Sequence, residues 1–478
     1  MAAKLTIIHT NDTHSRVRGN EAEIGFAKLQ TLVNDFRALN PNTLLLDAGD
    51  TVHGMPISTL FQGSSIIELM NRLGYNGMTA GNHDFSYGWK RLQELSAQAD
   101  FPIMAANITH EEKPILNPML TFEFEGIKGA VIGVTATETM IKAHPKNVEG
   151  LTFHDPAVAV KELVAKLRPE VDVLIVLSHL GTEHASIHTS RRLIEEVPGI
   201  DLLIDGHSHD LYAFGTSVNQ TLQVSAHEYL KHCGAVELSI EGGKVVAAQA
   251  RTISAKDASH IEPDPAIQQL IDSYEEQAKQ KMDNVVGRAG VTLHGEREQV
   301  RASETNLGNL VTDLLRELTG ADVVLINGGT LRGSIQAGDI SMADIHRILP
   351  FDDASTVIKR VPGAVLKEVF EHGVGRYPEL QAAFPQLSGA TFVFDPKKEM
   401  GNKVMDVKIG GQPLDLHKEY LLATKDFTAA GGDGYQMLTD YPIVAECVSL
   451  ATALVDYLAQ HGEVSPVAEG RVQAVAEK

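Results

Sequence analysis

Cys233 and Cys447 are all the thiol chemistry this 478-residue chain holds. They stand far apart and form no disulfide framework of the kind that staples small secreted domains. A single bridge between them stays open. No stretch reaches the roughly 18 consecutive apolar residues that a membrane-spanning helix needs. A basic start followed by a long apolar core, the mark of a signal peptide, is also missing. As it stands the sequence reads as cytoplasmic, or as an exported protein if Met1-Ala2-Ala3 is a cloned start on a trimmed N-terminus. Positive charge is short too, with 41 Lys and Arg against 62 Asp and Glu and a formal net charge of −21. That balance argues against a polymeric nucleic acid as partner, because phosphate backbones are bound by cationic surfaces. A small phosphate ester in a local cationic pocket remains compatible with it. There is no internal repeat and no low-complexity tract.

What is present is ordinary globular material, 43% hydrophobic and 22% charged, in a chain long enough for two or three domains. The first half alternates short apolar runs with helical patterns. Strands are expected over residues 5–8, 43–46, 131–134, 171–177 and 201–204. Helices are expected over 64–73 and 156–167, the latter with Pro156 at its first position. This is the βαβ rhythm of an α/β layered domain. Residues 236–240 and 245–250, joined by Gly242-Gly243, read as a closing hairpin. Ile261-Glu262-Pro263-Asp264-Pro265 looks like a boundary, and the polar helix over 266–282 reads as a solvated spacer. The resulting division is a first domain over 1–254, a linker and spacer helix over 255–283, and a mixed second domain over 284–478.

Metal-type ligands gather at the ends of the apolar runs. Asp12 and His14 follow the first strand. Asp50 follows the second, in Asp47-Ala48-Gly49-Asp50. Asn82 and His83 stand in Gly81-Asn82-His83-Asp84. His179 ends the run over 171–177, and His207 and His209 stand in Gly206-His207-Ser208-His209. Ligands at strand ends lie where open α/β sheets bind. Gly49, Gly81 and Gly206 flank three of the segments and allow tight turns. Imidazole and carboxylate together suit Zn, Mn, Fe or Co rather than Mg or Ca alone. A carboxylate can bridge two cations about 3.5–4 Å apart and so make hydroxide available near neutral pH. Such a pair also stabilises charge that develops in phosphoryl transfer.

These motifs, in this order, resemble the calcineurin-like metallophosphoesterase superfamily. Within it the chain resembles, over nearly its whole length, the 5′-nucleotidase / UDP-sugar hydrolase / 2′,3′-cyclic-nucleotide phosphodiesterase family. The resemblance implies a four-layer αββα metallophosphoesterase domain followed by a mixed α+β 5′-nucleotidase C-terminal domain. It implies two divalent metal ions (Mn, Zn, Co or Fe). One would be held by Asp12, His14 and His209, the other by Asn82, His179 and His207, with Asp50 between them. His83 would be catalytic, touching the phosphate and protonating the leaving oxygen. One departure stands out. Where the family often has Gly-Asn-His-Glu-Phe-Asp, this chain has Gly81-Asn82-His83-Asp84-Phe85-Ser86. A serine cannot stabilise an imidazolium as a carboxylate does. Among the other histidines, His9 reads as structural, His53 as a neighbour of the ligands, and His184 with His188 as a surface pair.

The second domain carries Asn327-Gly328-Gly329-Thr330-Leu331-Arg332 after a strand over 323–326. A Gly-rich turn ending in Arg suits an anionic ligand but lacks the Gly-Lys-Ser/Thr of a P-loop. Leu349-Pro350-Phe351 and the loop over 427–435 add aromatic residues. Two exposed phenylalanines can sandwich a base at about 1–3 kcal/mol each, and the bland alternative is that both are core. The same resemblance assigns Phe351 and Phe427 to the base and Asp433 to the ribose hydroxyls. Arg332 and Arg301 would face the anionic groups, and Asn327 the base. The expected activity is release of phosphate from nucleoside 5′-monophosphates. A 2′,3′-cyclic nucleotide or a nucleotide sugar is the alternative substrate, and a nucleotide-binding protein with a decayed site the non-enzymatic alternative. No oligomeric state is legible.

Overall fold

The apolar run at the N-terminus lies inside the strand Ala3–Thr10, and its side chains alternate between two cores. Leu5 and Ile7 join one buried cluster and Ile8 another. The strand Thr43–Asp47 repeats the pattern, with Leu44 and Leu46 on one side and Leu45 on the other. A strand buried on both faces reads as a continuous apolar run, because both sets of side chains leave water. The structure, a computed structural model, describes residues 2–143, 147–182, 186, 188–350 and 355–475. It divides into two units, Met1–Ala278 and Lys279–Lys478.

In the first unit two six-stranded sheets share one core. The first sheet runs in the order Lys244–Ser254, His232–Glu241, Ala3–Thr10, Thr43–Asp47, Gly77–Thr79, Ile103–Met104. The second runs Thr216–Val218, Thr221–Val224, Leu202–Asp205, Val173–His179, Ile127–Thr135, Met119–Phe124. Val173, Ile175 and Leu177 meet Leu5, Ile7, Leu44 and Leu46 between the sheets. Leu174 and Val176 face outward onto the helices Pro156–Leu167 and Ser190–Glu196. On the opposite outer face, Ile8 and Leu45 pack with the helices Phe26–Leu39, Ser64–Leu73 and Trp89–Gln98. The order helices, sheet, sheet, helices is the expected four-layer architecture. The expected hairpin forms as well. Glu241 pairs with Lys244 across Gly242 and Gly243, whose φ values of 57° and 74° are those of a two-residue turn matched to strand twist.

Strand direction positions the site. Ala3–Thr10, Thr43–Asp47 and Gly77–Thr79 are mutually parallel, as are Ile127–Thr135, Val173–His179 and Leu202–Asp205. Their C-terminal ends therefore deliver the segments carrying Asp12, Asp50, Asn82, His179 and His207 to a common edge of the sandwich.

The polar helix, Pro265–Met282, is more than a solvated spacer. Ile267 and Ile271 are buried in the first unit's core, and the Tyr274 hydroxyl donates to Glu68. Arg18 pairs with both Asp272 and Glu275. The stripe at 267, 271 and 274 has helical spacing and is hidden in the sequence by the charged residues around it.

In the second unit a five-stranded sheet runs Pro385–Ser388, Val323–Asn327, Glu419–Lys425, Ser355–Pro362, Ile443–Ser449. Val324 and Ile326 face the helices Asn306–Thr319 and Leu450–His461. Val323 and Leu325 face a second core with the helix Gly363–Gly373 and the strands Ala390–Phe394 and Val404–Ile409. No helix among the described residues is long and apolar enough to cross a membrane.

Ile175 is fully buried between the two sheets of the first unit. Ile175→Ala should lower unfolding stability in urea by about 2–5 kcal/mol, the range for truncating a closely packed aliphatic side chain. A loss under about 1 kcal/mol would mean that the inter-sheet core is not closely packed there.

Candidate metal centre and nucleotide-recognition residues

Left-handed backbone marks the candidate ligands. Asp12, His14, Asp50, His207 and His209 have φ of 50°, 46°, 56°, 78° and 55°. Each such residue costs about 1–2 kcal/mol, so local preference does not select these turns. Hydrogen bonds impose them. Asp12 N donates to Gly49 O and His14 N to Asp50 O, both at 2.9 Å, locking the first two strand ends together. The Asp12 carboxylate accepts from Asn11 Nδ2 at 2.7 Å and from His207 N at 3.1 Å to both oxygens, which ties the first sheet to the second. Asn11 in turn accepts from Ala226 N at 2.9 Å.

Asp84 is the hub. Its two oxygens accept from the backbone N–H groups of Asp50, Thr51, Val52 and Gly81 at 2.8–3.0 Å. One buried carboxylate thus fixes the turn carrying Asp50 against the turn carrying Asn82. His83 N then donates to Asp50 Oδ1 at 2.8 Å. Glycine is required at this junction, since a Cβ on Gly81 would lie 2.2 Å from Asp50 Oδ1. At Gly206 it would lie 2.8 Å from both Ala48 O and His179 Nδ1.

Six of the seven expected ligands gather in two groups. Asp12, His14 and His209 form one, and Asp50, His179 and His207 the other, with the possible ligand atoms of each group within 4.8 Å of one another. Asp50 Oδ2 is 3.1 Å from His179 Nε2 and 4.0 Å from His14 Nε2, so it faces both groups. The seventh, Asn82, stands beside His83 in the turn that Asp84 fastens to Asp50. His14 Nε2 and Asn82 Oδ1 are buried without a hydrogen-bond partner among the described residues, and His179 Nε2 faces the carboxylates of Asp50 and Asp12. Buried polar atoms are nearly always paired, so two orphans on the segments around two buried carboxylates fit a cation-binding role.

Tautomers agree. His179 Nδ1 is 2.6 Å from Ala48 O, so a neutral ring donates there and leaves its Nε2 lone pair facing Asp50 and Asp12. His209 Nδ1 is held by Glu228 at 2.6 Å, leaving Nε2 3.5 Å from Asp12 Oδ1. A lone pair turned toward carboxylates needs positive charge in between. Burial alone would lower the His179 pKa, but Asp50 and Asp12 raise it to about 10, so without a metal ion a proton supplies that charge. Burial opposes ionisation of Asp50, yet His179 and His83 hold its carboxyl well below the usual range. Burial pushes Asp12 up.

His83 is partly exposed beside both groups. Its ring lies 5.1 Å from that of His14, edge-on, and 6.0 Å from that of His53, nearly parallel. His53 is held neutral by burial, with a pKa of about 3, and also meets Tyr87 edge-on. The Ser86 hydroxyl makes no hydrogen bond among the described residues, and its carbonyl accepts from Asn147 at 2.8 Å. His9 is structural as expected, buried against Gly234. His188 joins Arg192 and Asp155 at the surface, and His184 lies outside the described residues. Sequence reasoning alone misses Asp84, Asn11, Glu228 and Lys142, whose Nζ is 3.1 Å from His207 Nε2. Asp84 adjoins a motif residue and is detectable there, whereas Asn11, Lys142 and Glu228 meet their partners only through the fold.

In the second unit Asn327 and Asp433, 106 residues apart, meet at 2.6 Å through Nδ2 and Oδ2. Thr330 and Thr428 donate to Asn327 Oδ1 at 2.7 and 3.3 Å. Asn327 is only 3% exposed, and its side chain holds Asp433. Asp433 sits at φ 51° between Gly431 and Gly434, its carbonyl 2.8 Å from His372 Nε2. Phe427 is 54% exposed, so it is not a core residue. Arg332 is exposed, and Arg301 has a buried Nε with no hydrogen-bond partner among the described residues. Burial and the cations Arg332 and Arg297 lower the Arg301 pKa, outweighing Asp433 and Glu298, which marks a site short of negative charge. Phe351 lies outside the described residues.

Fold and site together define a class. The family model for calcineurin-like phosphoesterases matches residues 5–211, and that for the 5′-nucleotidase C-terminal domain matches residues 285–440. Protein UshA of Yersinia enterocolitica is 31% identical, over 96% of this chain and 91% of its own length. The chain belongs to the 5′-nucleotidase family of metal-dependent phosphoesterases. It is also 30% identical to the trifunctional nucleotide phosphoesterase protein YfkN of Bacillus subtilis, over 98% of this chain but only 35% of that longer protein. The crystal structure of a 5′-nucleotidase precursor from Thermus thermophilus superposes over the whole of both chains with a TM-score of 0.60 at 28% identity.

Asp84→Asn replaces an acceptor-only group by one that turns an NH₂ toward backbone donors. The variant should lose about 1–3 kcal/mol of stability and bind Mn at least about tenfold more weakly in calorimetry. Unchanged Mn affinity would dismiss Asp84 as the hub. The raised pKa of His179 sets a second expectation. With a pKa of about 10 the ring is protonated at pH 7 in the metal-free protein, and a metal ligand must be neutral. Mn binding at pH 7 should release at least one proton, read from calorimetry in two buffers of different ionisation enthalpy. In the metal-free fold the same shift is fully stabilising below the ordinary value of 6.5 and is lost as pH rises through about 10. Identical heats in both buffers would contradict a protonated His179.

Proposed function

We propose that the chain hydrolyses nucleoside 5′-monophosphates to nucleoside and phosphate at a two-metal centre. The observation that carries this is the meeting of two ligand groups at Asp50, with buried atoms of His14 and Asn82 left unpaired among the described residues. Asp12, His14 and His209 would hold one cation and Asn82, His179 and His207 the other, with Asp50 shared. Imidazole and carboxylate donors favour Mn, Zn, Co or Fe. Bound there, divalent cations supply Lewis acidity to phosphoryl oxygens and make hydroxide available near neutral pH.

The remaining work falls to the chain. His83 stands beside both ligand groups, where its imidazole can hold the proton that the leaving oxygen needs. Its backbone bond to Asp50 Oδ1 keeps it in register with the ligands. Nucleoside recognition is assigned to the second unit. Phe427 offers an exposed face for a base, with Phe351 as its expected counterpart. Asp433 offers carboxylate oxygens to ribose hydroxyls, and Arg301 and Arg332 take the anionic groups. Asn327 serves by holding Asp433. The names of YfkN and of the Thermus thermophilus protein agree with a nucleotide substrate.

The test is phosphate release from metal-stripped protein resupplied with Mn, Zn, Co or Mg. The panel is AMP, GMP, UMP, UDP-glucose, 2′,3′-cAMP and p-nitrophenyl phosphate. Release should need metal and be fastest on the 5′-monophosphates. Faster release from the cyclic nucleotide or the nucleotide sugar would keep the centre and move the substrate. No release with any metal would sink the catalytic reading.

A further inference from the structure

Lys359 is buried in the middle of the strand Ser355–Pro362, only 4% exposed. Among the described residues its Nζ has no carboxylate partner. It donates instead to two backbone carbonyls, Ala429 O at 2.9 Å and Leu438 O at 2.8 Å. Burial lowers its pKa. An uncompensated ammonium inside a protein is expensive, and a core built for stability alone would place an apolar side chain there.

The two carbonyls explain what the lysine does. Ala429 ends the short helix Asp426–Ala429, which carries Phe427. Leu438 ends the helical turn Gln436–Leu438. Carbonyls at helix ends carry partial negative charge, and an ammonium satisfies them well. Between these two points runs the loop that presents Asp433 in a left-handed conformation, flanked by Gly431 at φ 93° and Gly434 at φ 90°. Three further anchors fix its middle: Asn327 Nδ2 donating to the Asp433 carboxylate, His372 Nε2 at the Asp433 carbonyl, and Tyr435 Oη donating to Ala383 O. Within the loop Gln436 Nε2 also donates to Gly431 O, whereas Lys359 reaches both ends from a separate strand.

We infer that Lys359 is a positioning residue for nucleoside selectivity: it clamps both ends of the loop over 430–437, which follows Phe427 and carries Asp433, so that ring and carboxylate are presented together. The inference rests on the reading of that loop as nucleoside-binding. A glycine-rich loop with a strained aspartate relaxes once its ends separate, and the ligand must then meet the cost of ordering it. The hydrogen bonds of the lysine go to Ala429 O and Leu438 O and to none of the candidate metal ligands, so its removal should act on nucleoside binding and spare the phosphoryl chemistry.

The test compares Lys359→Met with wild type on AMP and on p-nitrophenyl phosphate, which has no nucleoside, and measures adenosine binding directly by calorimetry. The Met variant should raise KM for AMP at least about tenfold relative to any change in kcat/KM on p-nitrophenyl phosphate, with kcat on AMP within about threefold. Adenosine affinity should fall by the same factor, and Lys359→Arg should recover most of it. Lys359→Gln carries the same comparison if the Met protein does not fold. Equal shifts on both substrates in a folded variant, or an unchanged KM for AMP, would overturn the clamp. Phe427→Ala separates the two levels. If that variant also leaves adenosine binding unchanged, the nucleoside reading of the loop fails. If it weakens binding while Lys359→Met does not, the lysine inference alone falls.

Discussion

One carboxylate holds the first unit's chemistry in register. Asp84 accepts four backbone N–H groups from two different turns, and those turns carry Asp50 and Asn82. Asp84 belongs to the second of these turns: it closes its own turn through Gly81 N and holds the first through Asp50, Thr51 and Val52, so the two are fastened as one piece. The same device recurs with Asp12, which accepts the N–H of His207 and thereby fastens the second sheet to the first. Side-chain carboxylates here do what a β-ladder does elsewhere. They pair backbone donors that the strands leave behind when they end, and they do so where a ladder would obstruct a ligand.

That arrangement is costly without a metal ion. Five ligand residues sit in left-handed backbone, and Asp12 and Asp50 are buried within reach of one another. Two anions in a dry site repel, and His179 answers by retaining a proton far above its ordinary range. The strain, the unpaired atoms of His14 and Asn82 and the retained proton are one condition seen three ways: buried groups arranged around a need for positive charge. Stability is supplied elsewhere, by the inter-sheet core around Ile7, Leu46, Ile175 and Ile204. Strain of this kind persists only where the surrounding structure over-determines it.

Much of this is legible before any coordinates. The strands are visible because residues such as Leu44, Leu45 and Leu46 are buried on both faces and leave no polar gap. The ligands are visible because they stand within a few residues of those runs, beside glycines whose Cβ atoms would have struck the site. Partners distant in sequence are not. Glu228 orients His209, and nothing near either residue says so. Lys359 reads as one more charged residue on a strand until its two carbonyls appear. The docked face of Pro265–Met282 is hidden because two isoleucines and a tyrosine are outnumbered by charges. The partners of Asn327 are equally hidden, since Asp433 lies 106 residues away and Thr428 about as far.

A net charge of −21 on a protein that handles phosphate esters is not a contradiction. At physiological ionic strength the field of an exposed charge fades over about 8 Å, so distant carboxylates barely reach a pocket. What a phosphate feels is local. In the second unit the cations Arg332 and Arg297 act on Arg301 more strongly than Asp433 or Glu298 do, a local excess of positive charge. In the first unit it is a cluster whose carboxylates face metal-type ligands rather than solvent. A polymer must instead lie along many ångströms of surface, where the acidic excess is felt at every step. An acidic composition is thus compatible with a small phosphate ester and unfavourable to a polyanion, because the charges around Arg301 and the candidate metal groups act over a short range, whereas net charge acts along a whole surface.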